Sequence, residues 1–323
     1  MNPGEFIRQF NLYTQAKKPF VFLIDFEKQK PELFLQEEAE ANALYFSIDG
    51  KTNYSGRFQV RKHGNLMAQQ IDFQEYNLAF NQVQTHLKNG DTYLLNLTFQ
   101  TPVSVRNGLL EIFEMAQAKY KLWFRNQFVC FSPESFIKIR KNKIYTYPMK
   151  GTIKADVTNA KSKILADKKE AYEHNTIVDL LRNDLSMVAK NIEVDRYRYV
   201  EKIATSKGDI LQVSSQISGE LYSGWEETAG ELFYQLLPAG SISGAPKTRT
   251  VEIIKSVEKK QRNYYTGIFG LFDGANFDSA VIIRYIENIN NQLFYRSGGG
   301  ITALSNSIEE YDELNQKIYV PLT

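Results

Sequence analysis

The chain has 323 residues, 43% of them hydrophobic and 13% aromatic, which is ample for a large packed core. A formal net charge of +2 with 24% charged residues carries no polyanion-binding signature, so nucleic acid is not an expected partner. No apolar run approaches bilayer length, no hydrophobic leader with a small-residue cleavage site opens the chain, and the single cysteine, Cys130, cannot close an internal disulfide. A cytoplasmic protein with no membrane partner is expected. His63, His86 and His174 are the only histidines, which disfavours Cys–His hydrolysis and a His-rich zinc site.

In chain order, the sequence predicts a helix near residues 4–17, then short strands over 21–26 and 43–48. Tyr76, Phe80, Val83 and Leu87 recur at helical spacing, and Asn89 with Gly90 supplies a stop. A strand over 91–98, a helix over 109–119 and strands through 128–131 follow, with Cys130 read as a buried strand residue. Ile137 and Ile139 on one side of a basic turn at 140–143, and Ile144 and Tyr145 on the other, predict a hairpin. That hairpin would return Lys150 to the neighbourhood of Glu134. One long helix is predicted over 159–190, with Val178, Leu181, Leu185 and Val188 as its apolar face. Strand-rich runs at 197–203 and 210–217 precede a helix over 226–237 and a loop over 239–247 that Pro238 opens. After a helix over 248–260, strands over 265–272, 279–286 and 293–296 alternate with turns. A glycine triplet at 298–300 leads to a final helix carrying Glu309, Glu310 and Glu313. Helices alternating with hairpins argue for largely antiparallel sheets.

Several residues have chemistry in view. Glu170 and Glu173 share one side of a helix, as do Glu310 and Glu313. Such pairs ordinarily decorate a solvated face, but four converging carboxylates without nitrogen or sulfur would suit Mg²⁺. The 239–247 loop fails the nucleotide phosphate-loop pattern. Its small residues and following helix still have the character of an anion cradle, for phosphate or carboxylate. Arg284 lies in an apolar run; facing inward it would need an anion, facing outward it would be ordinary, and alternation leaves both open. Lys150, flanked by Pro148 and Gly151 and returned toward Glu134, reads as half of a reactive pair. A lysine of ordinary pKa, about 10.4, is neutral in roughly one molecule in a few thousand at pH 7, so a nucleophilic one must be desolvated or lie near positive charge.

Eight stretches in order resemble the chorismate-utilising enzymes: anthranilate synthase component I, aminodeoxychorismate synthase component I, and the isochorismate and salicylate synthases. They are Ser-Pro-Glu-Ser-Phe at 132–136, Pro-Met-Lys-Gly-Thr at 148–152, and Glu-Ala-Tyr-Glu-His at 170–174 with Ile-Val-Asp-Leu-Leu-Arg-Asn-Asp at 177–184. The others are 238–247, Tyr-Thr-Gly at 265–267, Ile-Arg at 283–284, Gly-Gly-Gly-Ile at 298–301 and Glu-Tyr-Asp-Glu at 310–313. Together they span about residues 90–320.

The resemblance implies an α+β chorismate-binding fold of two packed, largely antiparallel sheets with helices outside. It implies a single domain over 1–323, with a catalytic core over 90–320 and a shortened N-terminal segment, 1–60, for which no tight tryptophan binding is expected. A lysine before Gly151 and Thr152, where the anthranilate and isochorismate branches carry alanine, points to the aminodeoxychorismate synthase component I branch. By resemblance Lys150 attacks C2 of chorismate as the 4-hydroxyl leaves, ammonia then attacks C4, and Glu134 serves as acid and base. The product, 4-amino-4-deoxychorismate, feeds folate synthesis through 4-aminobenzoate. Mg²⁺ would be bound chiefly by Glu173 and Glu313, with Glu170 and Glu310 close behind. Arg284, Tyr265 and the backbone near Gly299 would take the enolpyruvyl carboxylate, and Gly151, Thr152, Ser243, Gly244, Lys247 and Gly300 complete the substrate-binding set. Departures are Gln212 for a frequent histidine, Ser243 for a threonine, and Leu94, which replaces a common glutamine and lacks the basic residue of the isochorismate branch. No glutaminase machinery is visible, so nitrogen would come from free ammonia or a separate glutamine amidotransferase subunit. Anthranilate synthase component I is the nearest alternative, and a non-catalytic chorismate-binding or partner-regulating module is another.

Overall fold

Two antiparallel sheets face each other in the computed structural model, which describes residues 1–56, 66–203 and 208–321; His63 lies outside them. The first sheet runs Met149–Lys154, Ile210–Leu221, Lys143–Thr146, Ser135–Arg140, Phe277–Val281, Ile268–Phe272, Phe20–Ile24, Glu32–Leu35, with Ala189–Ile203 also on Ile210–Leu221. The second runs Gly244–Ala245, Leu94–Ser104, Gln292–Ile301, Tyr285–Ile289, Phe128–Ser132, Tyr120–Phe124, Leu44–Ile48, Lys51–Thr52, with Met67–Ala68 also on Leu94–Ser104.

Alternation sets the layers. In Phe20–Ile24 every residue is buried because both faces are covered. Phe20, Phe22 and Ile24 turn to a helical layer holding Phe6, Phe10 and Phe233, while Val21 and Leu23 turn to the second sheet. The inter-sheet core includes Phe46, Leu122, Phe128, Cys130, Phe269 and Tyr285, and Cys130 is a fully buried strand residue. The helix Leu109–Met115 covers the outer face of the second sheet through Ile112 and Phe113. Among the described residues no helix is long and apolar enough to cross a membrane.

Several boundaries differ from the sequence expectation, each for a local reason. The long helix of 159–190 is two helices, Ala160–Ala166 and Lys168–Ser186. Asp167 adopts extended backbone between them and accepts from the Glu170 amide, capping the second. The helix expected to 119 ends at Met115, and 120–124 becomes a strand whose Tyr120, Leu122 and Phe124 face the inter-sheet core. The run 279–286 is divided between Phe277–Val281 in one sheet and Tyr285–Ile289 in the other. The 239–247 loop is a helical turn, Gly240–Ser243, then the strand Gly244–Ala245, then the helix Lys247–Glu258. The glycine triplet is strand, inside Gln292–Ile301.

Candidate functional site

The site forms where strands change sheets. Pro133 and Glu134 connect Phe128–Ser132 of the second sheet to Ser135–Arg140 of the first, and 282–284 connects Phe277–Val281 back to Tyr285–Ile289. The two crossings are joined by Val281 N donating to Glu134 O at 3.2 Å and Phe131 N donating to Arg284 O at 3.1 Å. Glu134 and Arg284 thereby occupy neighbouring corners. Arg284 has φ +53°, a left-handed conformation that non-glycine residues adopt at a cost and that clusters at functional sites. It belongs to no strand, so neither side of the inward-or-outward question raised by alternation describes it. Its Nε is buried without a hydrogen bond, and its guanidinium lies 5.4 Å from the Tyr319 ring centroid. Tyr265 is buried nearby, its hydroxyl pushed up to about 12 by burial despite the opposing charges of Arg262 and Arg284.

Lys150 sits on the strand Met149–Lys154, partly buried, with Nζ donating to Glu173 Oε2 at 3.0 Å. Glu173 is its direct partner, which corrects the expected Lys150–Glu134 pair: the hairpin does bring the two into electrostatic range, but Glu134 bonds elsewhere. Burial disfavours the Lys150 ammonium, yet Glu173, Glu313 and Glu170 together hold its pKa above the usual lysine value. These carboxylates therefore favour the protonated form of the amine.

The four predicted glutamates come from two helices, and Glu173, Glu313 and Glu170 act on this amine while Glu310 lies by Gly299 and Lys317. Glu170 and Glu173 lie in the first turns of Lys168–Ser186, and Glu310 and Glu313 lie on Ser307–Gln316. Burial and mutual repulsion raise Glu170, and burial, with Glu313 adding to it, raises Glu310 against a hydrogen bond from Ser305 Oγ at 2.8 Å. Glu313 falls below its ordinary value although burial opposes this, because Lys317 Nζ stands 2.7 Å away. Lys317 also donates to Gly298 O at 2.8 Å, and burial lowers its own pKa.

The glycines shape the floor. A Cβ at Gly300 would lie 3.2 Å from Leu94 Cδ1 and 3.8 Å from Lys150 Nζ; one at Gly299 would lie 3.2 Å from Glu310 Oε2 and 3.8 Å from Lys317 Nζ. Bare backbone thus separates the two ammonium groups. Gly151, at φ +84°, would bring a Cβ to 3.2 Å from Glu170 Oε2, so both its backbone shape and its lack of side chain are used. A cavity of about 1200 Å³ is lined in part by Pro133, Met149, Gln212 and Tyr319, but neither Lys150, the four glutamates nor the floor glycines line it.

The all-oxygen donor set suits a hard divalent cation, and the glycine cradles leave room against Glu170 and Glu310. Among the described residues no three carboxylates or other ligating side chains are gathered closely enough to hold a metal ion as they stand. Lys150 and Lys317 serve as the counterions instead.

The remaining predicted residues are placed differently. Thr152 is exposed and registers with Gln212. Ser243 Oγ donates to Ala239 O at 2.9 Å, Gly244 pairs with Leu95, and Lys247 Nζ lies 2.8 Å from both Asp184 Oδ1 and Leu236 O. Instead of an open anion cradle, this segment spends its polar groups inside the protein. Sequence reasoning missed Lys317, whose i,i+4 spacing to Glu313 reads as a surface pair. It also missed Ser241, whose hydroxyl donates to Glu134 Oε1 at 2.5 Å, and Tyr319. No local pattern marked the last two.

Residues 7–323 match the family described as chorismate binding enzyme. The chain is 49% identical to a Haemophilus influenzae protein described as an uncharacterized PabA-like protein, over 98% of this chain and 96% of that one. It is 32% identical to aminodeoxychorismate synthase component 1 of Salmonella typhimurium, over 93% of this chain and 67% of that one. Its fold is similar to that of a menaquinone-specific isochorismate synthase from Escherichia coli, with TM-score 0.74 at 15% identity over 97% of this chain and 80% of that one.

Proposed function

The chain belongs to the chorismate binding enzyme family, and from that premise we propose that it is component I of an aminodeoxychorismate synthase, aminating chorismate at C4. The observation that carries the reading is Lys150, held 3.0 Å from Glu173 over the side-chain-free floor at Gly300. A ring bound over Gly300 would meet this amine, with the Leu94 side chain beside it.

Mg²⁺ on Glu173 and Glu313, with Glu170 and Glu310 behind, would supply positive charge for the ring carboxylate and cancel the negative field that keeps Lys150 protonated. Arg284 offers its unbonded Nε to the enolpyruvyl carboxylate, with Tyr265 beside it and Lys317 adding a second positive charge. The neutral Lys150 amine adds to C2 while both conjugated ring double bonds shift toward C4, C1=C2 becoming C1=C6 and C5=C6 becoming C4=C5, and the C4–oxygen bond breaks. Glu134, raised above the usual carboxyl range by burial, gives its proton to the departing oxygen, which leaves as water. Ammonia attacks C4, both double bonds return to their original positions, and the C2–nitrogen bond breaks with its electron pair going back to Lys150. The surplus proton of the attacking ammonia restores Glu134. A separate glutamine amidotransferase would supply the ammonia, and the product would serve 4-aminobenzoate and folate synthesis in the cytoplasm.

The test is incubation of the purified chain with chorismate, magnesium chloride and ammonium chloride, followed by mass analysis of the product and of the intact protein. Aminodeoxychorismate should form, and Lys150→Ala should cut its rate at least about 100-fold, as loss of a nucleophile does. Direct release of anthranilate, or full activity in Lys150→Ala, would overturn the reading.

A further inference from the structure

Glu134 is gripped at one oxygen. Ser241 Oγ donates to Glu134 Oε1 at 2.5 Å, from the single helical turn Gly240–Ser243. That turn is fastened on several sides. Arg262, 1% exposed, donates through Nη1 to Ile242 O at 3.0 Å and to Thr266 Oγ1 at 3.3 Å, and through Nη2 to Asn96 O at 2.6 Å. Its Nε and Nη2 also engage both oxygens of the buried Glu258, at 2.9 and 2.6 Å. Such a two-oxygen grip fixes the plane of the guanidinium. On another side, a Cβ at Gly240 would lie 2.7 Å from Asp184 Oδ2, so the turn packs directly on the Asp184–Lys247 pair. The Glu134 backbone is held independently, its amide donating to Ser132 Oγ at 3.1 Å and its carbonyl accepting from Val281 N.

We propose that Ser241 is a positioning residue for Glu134: its anchored hydroxyl fixes one carboxyl oxygen and leaves the other to carry the proton to and from substrate. This rests on the acid–base reading of Glu134 above. Lys150, Arg284 and Lys317 face the same carboxyl and, like the Ser241 hydroxyl, favour its ionised form, against burial. Removing the hydroxyl therefore moves the titration of Glu134 to higher pH and frees the side chain to rotate.

The experiment compares Ser241→Ala, Ser241→Thr and Glu134→Gln with the parent. The Glu134 carboxyl stretch, identified as the infrared band absent from Glu134→Gln, is titrated without substrate. Turnover is then measured against pH with chorismate, magnesium chloride and ammonium chloride. Ser241→Ala should titrate at higher pH, lose roughly ten-fold in kcat with KM within about two-fold, and shift the falling limb of the profile upward; Ser241→Thr should restore all three. An unaltered Ser241→Ala beside an inactive Glu134→Gln would overturn the positioning role alone. Full turnover by Glu134→Gln would overturn the acid–base reading and the positioning role with it.

Discussion

His174 is completely buried next to Glu173 in sequence, with Nε2 2.7 Å from Ser215 Oγ and Nδ1 without a hydrogen bond. Burial, reinforced by Arg198 and Lys150, pushes its pKa down to about 4. The unfolded chain binds this proton near pH 6.5 and the folded chain near 4, so stability is lost as pH falls through that window, by about 3 kcal/mol for this group. Urea unfolding at pH 7 and pH 4.5 should therefore show a smaller pH-dependent loss in His174→Gln than in the parent; an equal loss would remove His174 from the account. At this scale the acidic pairs and Lys150 could be found in the sequence, because their spacing or neighbours set them apart. Lys317 could not, since an i,i+4 Glu–Lys pair looks the same whether solvated or lining a cavity.

At the scale of elements, strand Gln292–Ile301 shows most clearly what local pattern conveys and what it hides. Its glycine triplet reads in the sequence as the lead into the final helix, and in the fold it is strand. Each of these glycines is paired along Leu94–Ser104, and the missing side chains open space on the strand. Gly300→Ala should leave the melting temperature within a few degrees, because the Leu94 methyl that the new Cβ meets at 3.2 Å can shift. It should cost at least about ten-fold in kcat/KM, because a methyl then stands between Lys150 and a bound ring. Full activity in that variant would show that the ring does not bind over this floor. The corner at 282–284 escaped notice for a related reason. Apolar residues continue on both sides of a strand that changes sheets, so the run reads as one strand when it is two.

Across the whole molecule, Phe277 ties the layers together. It is fully buried on the first sheet, with ring centroids of Phe272 at 4.5 Å, Phe233 at 5.2 Å and Phe10 at 5.5 Å, from a neighbouring strand and two helices. Phe277→Ala should destabilise by about 3–5 kcal/mol and Phe277→Leu by less, read from urea unfolding midpoints. Equal and small losses would mean that the helical layer holds without it. The sequence by itself determined the largely antiparallel sheets, the buried strands, the oxygen-rich character of the acidic helices and the family, because periodicity and motif order are properties of short stretches. Only the tertiary structure decided that Lys150 pairs with Glu173, that Arg284 turns a corner, that Lys247 faces Asp184 and that Ser241 reaches Glu134. Alternation records which face of an element is covered. Which side chain covers it depends on strands and helices far apart in the chain, brought together by packing that no short stretch encodes.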